Sequence, residues 1–226
     1  MADNNKPFED NPLYNSPTLS DVTVRQISGG KSKDYKLHKA ILASQSKWFY
    51  NAFCGNFKEA SDQVVEVHDD KPHHFEMLLK CIYSRDYIPG KGYISHDACD
   101  DIIGTYIVAD KYGCDDIIKS LPQALRQHIE WLSGYLVPGI VEDFYSHCGN
   151  TAKTEMGKVL AERVLSQRAD RSAMDTIKEC KNVCNDHPDF ARDVILCLIS
   201  RKTNLELRPK AGGDDSSAGR VGALRF

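Results

Sequence analysis

Residues 37–53, LHKAILASQSKWFYNAF, constrain the fold more than any other part of the chain. Apolar and aromatic side chains recur here every three or four positions, the spacing that gathers them on one side of a helix. Two short helices satisfy the pattern. Leu37, Ala40, Ile41 and Ser44 fall on the inner side of the first. Ser46 is placed to cap the second, whose inner side carries Phe49, Ala52 and Phe53 with Trp48 beside it. That much aromatic surface gathered on one seam marks a packing element, with Trp48, Phe49 and Phe53 expected mostly buried. His38 and Lys39 stand at the corner where the chain enters the first helix. No residue is spaced to work with His38 as a catalytic partner, so it reads as a structural corner histidine.

The flanking segments set the context for this helix pair. Residues 22–27, VTVRQI, alternate Val22, Val24 and the weaker Gln26 against Thr23, Arg25 and Ile27, a strand pattern. Gly29 and Gly30 make a hairpin turn, and residues 34–37 return as the second strand. QVVEV, residues 63–67, is a third, β-branched strand. Asp69, Asp70 and Pro72 open a helix striped with Phe75, Met77, Leu78, Leu79, Ile82 and Tyr83. Residues 87–90 read as a brief edge strand, and residues 100–112 as a helix closed by Gly113. Asp115 opens the next helix, and helical stripes continue to about residue 200, the last built on Phe190, Val194, Cys197 and Leu198. Residues 210–226 are too rich in Gly and Ser to offset their ordering entropy, so a disordered tail is expected from residue 201.

Composition excludes several functions. At 226 residues, 41% apolar and 27% charged, the chain has an ordinary globular composition. A formal net charge of −3 offers no basic face for nucleic acid. No apolar run approaches the roughly 20 residues that cross a bilayer, so no membrane partner is expected. The polar start, MADNNKPFEDNPLYNSPT, lacks a signal core and points to the cytoplasm or nucleus.

The 8 cysteines then read as thiols. Cys180, Cys184 and His187 come closest to a zinc pattern but lack a fourth ligand, and their spacing is that of a helix face. There is no phosphate loop, HExxH or GxSxG, and the pairs Asp69-Asp70, Asp100-Asp101 and Asp115-Asp116 fit helix starts or turns. No catalytic residue, cofactor or metal is expected, which sets aside a zinc- or thiol-dependent enzyme.

The order of LSDVTV, YKLHKAILASQSKWFYNAF, FKEASDQVVEV, FEMLLKCIYSRDY and YIVADKYGCDDI resembles a BTB (POZ) domain. The chain looks most like the fungal members without kelch repeats or zinc fingers. The resemblance implies an α+β fold, a small sheet flanked by a helical cluster, followed by an all-α C-terminal extension. It divides the chain into a polar arm (1–17), the BTB/POZ domain (18–118), a helical extension (119–200) and the tail (201–226).

The resemblance further implies a protein–protein interaction module, specifically a substrate-recruiting adaptor of a cullin-type ubiquitin ligase. The alternative is a homo-oligomeric scaffold or transcriptional co-regulator with no ligase role. The family's charged pocket maps to Asp21 and Lys39, and its cullin-recruiting hydrophobic-x-Glu motif to Phe57, Lys58 and Glu59. Dimerising members carry a swapped strand before the domain. The short arm here, rich in Pro and Asn, does not suit one, so only a weak homodimer is expected.

Overall fold

A computed structural model of the chain describes residues 11–55, 62–84, 96–129, 137–148, 154–166 and 171–206. Two strands, β1 (Val22–Ser28) and β2 (Lys31–Leu37), form the opening hairpin. Gly29 and Gly30 both sit at positive φ, 55° and 74°, the backbone of a tight two-residue turn whose twist suits the strands it joins. Because the turn is that short, β2 begins at Lys31 rather than Asp34, and the ladder runs from Val22↔Leu37 to Ser28↔Lys31. After α1 (Lys39–Gln45) and α2 (Lys47–Cys54), β3 (Val64–His68) returns parallel to β1, giving the sheet order β2-β1-β3. Helices α3 (Pro72–Tyr83), α4 (His96–Tyr112) and α5 (Asp115–Ile129) complete the first half. Four more follow, namely α6 (Val137–His147), α7 (Glu155–Ser166), α8 (Arg171–Asp186) and α9 (Pro188–Glu206). The result is a small three-stranded sheet in a mostly helical body, with further helices after it.

One core runs through the described residues, from Val22 and Tyr35 on the sheet to Phe190 and Cys197 on α9. Gln26, the weak position of the strand pattern, is buried in it at 2% exposure. Its amide donates to the Asp70 carbonyl at 3.2 Å and its carbonyl accepts from the Tyr35 hydroxyl at 3.3 Å. A buried amide is tolerated when both ends are bonded, and strand alternation cannot reveal that.

Further sequence expectations change, among them the start of the tail, since α9 continues to Glu206 rather than ending at residue 200. On α1 the buried residue is Leu42, with Ile41 half-buried, while Ala40 and Ser44 are exposed. Leu37 belongs to β2, so a helical phase counted from it starts on a strand residue and comes out wrong. On α2, Ser46 caps as expected, its Oγ accepting the Phe49 N–H at 3.1 Å, and Phe49 is fully buried. Trp48 is not: it retains 37% exposure and leans edge-on against Phe49 and Tyr112 at 4.9 and 5.3 Å between ring centres. Phe53 is half-buried and stacks on Phe49. On α9, Leu198 is 49% exposed, because the buried line there runs through Phe190, Asp193 and Cys197. Finally, the acids before α3 do not cap it. Lys71 is the N-cap, Asp69 has φ 69°, and Asp70 turns inward. The expected edge strand at residues 87–90 lies outside the described residues.

Candidate interaction surface

The corner where β2 meets α1 is held from three sides. Asp21 Oδ1 accepts the backbone N–H of Lys39 at 2.7 Å, satisfying a donor at the start of α1. The two residues of the expected charged pocket are therefore adjacent, joined through a main-chain bond. The Lys39 ammonium stands 5.3 Å above the centre of the Phe53 ring. His38 is buried and bonded at both nitrogens, Nδ1 to the Tyr83 hydroxyl at 2.8 Å and Nε2 to the Thr18 carbonyl at 2.9 Å. The Tyr83 oxygen also accepts the His38 N–H at 2.9 Å. One arrangement meets all three bonds: the hydroxyl donates to Nδ1 while Nε2–H donates to Thr18. Burial pushes the Tyr83 phenol up to about 12, so it stays a proton donor throughout the neutral range. This is a structural histidine with no open position for a substrate.

The segment before the sheet folds onto the same corner. The Asn11 side chain donates to the Tyr83 carbonyl at 2.6 Å, and Leu13 and Tyr14 pack against the core. Asn15 Oδ1 accepts the Lys36 N–H at 3.0 Å on the outer strand of the sheet. That bond occupies an edge donor that another strand would otherwise take.

The outer side of α2 presents the aromatic surface. Tyr50 is 56% exposed beside the partly open Trp48. Between α2 and the start of α5 lies an open cleft of about 470 Å³ whose walls include Lys47, Tyr50, Asn51, Asp115 and Lys119. Lys47 bridges to Asp115 at 2.6 Å across it, and this pairing holds the Asp115 carboxyl below its ordinary value. Gly113, at φ 63°, closes α4 and lets Lys47 approach, since a Cβ there would stand 3.0 Å from the Lys47 side chain. Phe57, Lys58 and Glu59 lie outside the described residues. Their flanks are anchored: Gly55 N–H donates to the Asn51 carbonyl at 2.9 Å, and the Gln63 carbonyl accepts the Thr23 N–H at 2.8 Å.

Sequence reasoning missed three polar clusters. Asp70, 6% exposed, accepts the Tyr112 hydroxyl at 2.7 Å and the Lys111 ammonium at 2.8 Å, tying the β3–α3 turn to the end of α4. Burial first, and then the bond to Asp70, raise the Tyr112 phenol far above its usual value. Tyr145 donates likewise to buried Asp193 at 2.7 Å, joining α6 to α9, and Gly157 allows that pair room against α7. The third cluster pairs His73 and His74 of α3 with Asp101 and Asp100 of α4, at 2.9 and 3.4 Å. The Asp100-Asp101 pair thus lies one turn inside α4 rather than at its start, because the helix begins at His96. No local spacing rule links residues on two different helices, which is why these clusters stay hidden in the sequence.

The same scattering governs metal-ligating groups. Among the described residues, His74, Asp100 and Asp101 bring one ligand atom each within 4.8 Å of one another. Cys180 is buried and Cys184 half-buried, while His187 turns to Glu142 at 3.1 Å. Burial raises Cys81, Cys99 and Cys114 to about 12, the opposite of what a nucleophilic thiol needs.

A family description, BTB/POZ domain, matches residues 11–129. Human Kelch-like protein 17 is 24% identical over 121 residues, 43% of this chain and 19% of that protein. BTB/POZ domain-containing protein 6 of Xenopus tropicalis is 30% identical over 118 residues, 52% of this chain and 21% of that protein. Among solved structures, the BTB domain of zebrafish PATZ1 aligns with 48% of this chain and 77% of its own, at 21% identity and a TM-score of 0.33. The chain thus matches about a fifth of the length of these curated relatives. With the family match extending over more than half of its residues, the chain belongs to the BTB/POZ domain family, whose domains are protein–protein interaction modules.

Proposed function

We propose that the chain is an adaptor for a cullin-type ubiquitin ligase, docking the scaffold through Phe57, Lys58 and Glu59 together with the outer side of α2. The observation that carries this reading is the aromatic surface of α2, where Tyr50 is 56% exposed beside Trp48 and an open cleft. That surface lies only a few residues before Phe57 in the chain. Aromatic anchors flanked by charge are the usual make-up of an interface centre. The hydrophobic-x-Glu motif supplies the resemblance to cullin-recruiting members. Asp21 and Lys39 act in this reading by fixing the corner that orients α1 and α2. The helices beyond residue 118 then serve as the extension that carries the recruited substrate.

The folding of residues 11–15 onto their own domain supports weak self-association. A second reading, a homo-oligomeric scaffold without a ligase role, draws on a different observation: Ile195, Leu196, Leu198 and Ile199 are all exposed on α9. Titration of the full chain with a purified cullin N-terminal region separates the two. The adaptor reading expects saturable one-to-one binding that weakens in Tyr50→Ala and is untouched by Ile199→Ser. The scaffold reading expects no binding and a dimer by light scattering that Ile199→Ser dissociates.

A further inference from the structure

His74 occupies the first turn of α3 and is 5% exposed, its ring lying directly against α4 at Gly104. Any side chain at position 104 would overlap the imidazole, so the glycine makes room for the ring. Nε2 comes out of this slot 3.4 Å from Asp100 Oδ2. A four-coordinate ion with bonds of about 2.0–2.1 Å holds its ligand atoms roughly 3.3–3.4 Å apart, so one edge of such a site is already formed. Asp101 joins them, with one ligand atom from each of His74, Asp100 and Asp101 lying within 4.8 Å of the others. It is oriented from outside by His73, whose Nε2 lies 2.9 Å from Asp101 Oδ1, the outer pairing that commonly steadies a ligating group.

The surroundings favour a cation. A cleft of about 130 Å³ beside His74 and Asp100 is also lined by Asp69, Asp70 and Asp143, against a single lysine, Lys71. Asp70 is partly offset by Lys111 at 2.8 Å, and the other carboxylates leave the cleft negative. His147, on the same wall, bonds Nδ1 to the Asp143 carbonyl at 2.9 Å, which leaves its Nε2 for a ligand or a bound water.

We propose that His74 Nε2, Asp100 and Asp101 form a binding site for a divalent ion of the zinc class, with His73 positioning Asp101. One imidazole and two carboxylates suit zinc, cobalt or nickel better than magnesium or calcium, which prefer oxygen alone. The ion clips the start of α3 to α4, and a ligand that binds only the folded chain stabilises it by mass action.

The test uses the full chain without a polyhistidine tag, stripped with chelator and titrated with zinc or cobalt. Binding of one ion per chain, a thermal midpoint that rises with zinc, and an X-ray absorption shell of nitrogen and oxygen only are expected. Asp100→Asn and Asp101→Asn, both at partly exposed positions, should weaken binding at least about tenfold each while keeping the wild-type circular dichroism in metal-free buffer. Sulfur in the shell would assign the ion to the thiols and overturn the proposal. So would unchanged affinity in both variants, or the lack of saturable binding up to about millimolar metal. If either variant fails to fold, the absorption shell of the wild-type chain decides alone.

Discussion

Helices α3 and α9 carry similar apolar sequence and meet opposite fates. In α3, His74, Phe75, Met77, Leu78, Leu79, Cys81, Ile82 and Tyr83 are all buried, and the helix is enclosed on nearly every side. In α9, Phe190, Asp193 and Cys197 are buried, whereas Ile195, Leu196, Leu198 and Ile199 are exposed. The difference lies in where the partners sit. α3 follows the sheet and packs against both α1 and α4, while α9 lies chiefly on α7 and α8 and uses one side. A helix with two apolar lines needs partners on both sides to bury them. Among the described residues, α3 is thus sealed on both sides. α9 keeps apolar surface in reserve.

Truncation should show this contrast most strongly. Leu78→Ala or Phe49→Ala removes a fully buried side chain and should cost roughly 3–5 kcal/mol in denaturant unfolding. Ile199→Ser should stay within about 0.5 kcal/mol of wild type, because the side chain is already in water. Equal losses would mean that α9 buries both of its lines. A middling effect is expected from Asp70→Ala. It leaves the Tyr112 hydroxyl unpaired in the core, at about 1–3 kcal/mol. Lys47→Ala breaks an exposed pair with Asp115 and should cost less than about 1 kcal/mol.

The buried thiols and phenols around α3 and α4 should also reveal themselves at high pH. Cys81, Cys99 and Cys114 are raised by burial from 9.0 to about 12, and Tyr83 and Tyr106 from 10.0 to about 12. Folded-state values above the unfolded ones mean full stability below pH 9.0, lost progressively as pH rises toward 12. A denaturant midpoint that falls across this window checks the sign, and a flat profile contradicts it. At neutral pH the exposed Cys54 should react first with a thiol reagent, well ahead of the three buried groups. Labelling of Cys81 as fast as Cys54 would show that α3 is not enclosed.

What the sequence revealed, and what it concealed, follows the reach of each interaction. The hairpin was legible because Gly29 and Gly30 demand a tight turn, and the cap at Ser46 because capping is decided within three residues. Helical stripes up to about residue 200 were legible by their period, and on α7 Met156, Val159, Leu160 and Val164 are all buried. The exposure of Trp48 and Leu198 was not, since periodicity places a side chain on a face without saying whether anything covers it. The inward turn of Asp70 and the pairing of His73 and His74 with Asp101 and Asp100 depend on the packing of α3 against α4. The Asp21–Lys39 corner was legible as a proximity, through the family resemblance, while its bond to the Lys39 main chain was not.

The central claim, that α2 and the segment after it hold a cullin-type scaffold, rests most directly on Phe57. Measuring cullin affinity and thermal midpoint on the same Phe57→Ala and Glu59→Ala proteins tests it. An aromatic anchor typically carries ~2 kcal/mol or more, so Phe57→Ala should weaken binding by at least about thirtyfold with the midpoint near that of wild type. Glu59→Ala, a charge at the rim, should change affinity modestly and more so at low salt. Undiminished cullin binding by a well-folded Phe57→Ala protein, or a chain that binds no cullin and merely loses stability on that substitution, would contradict the account.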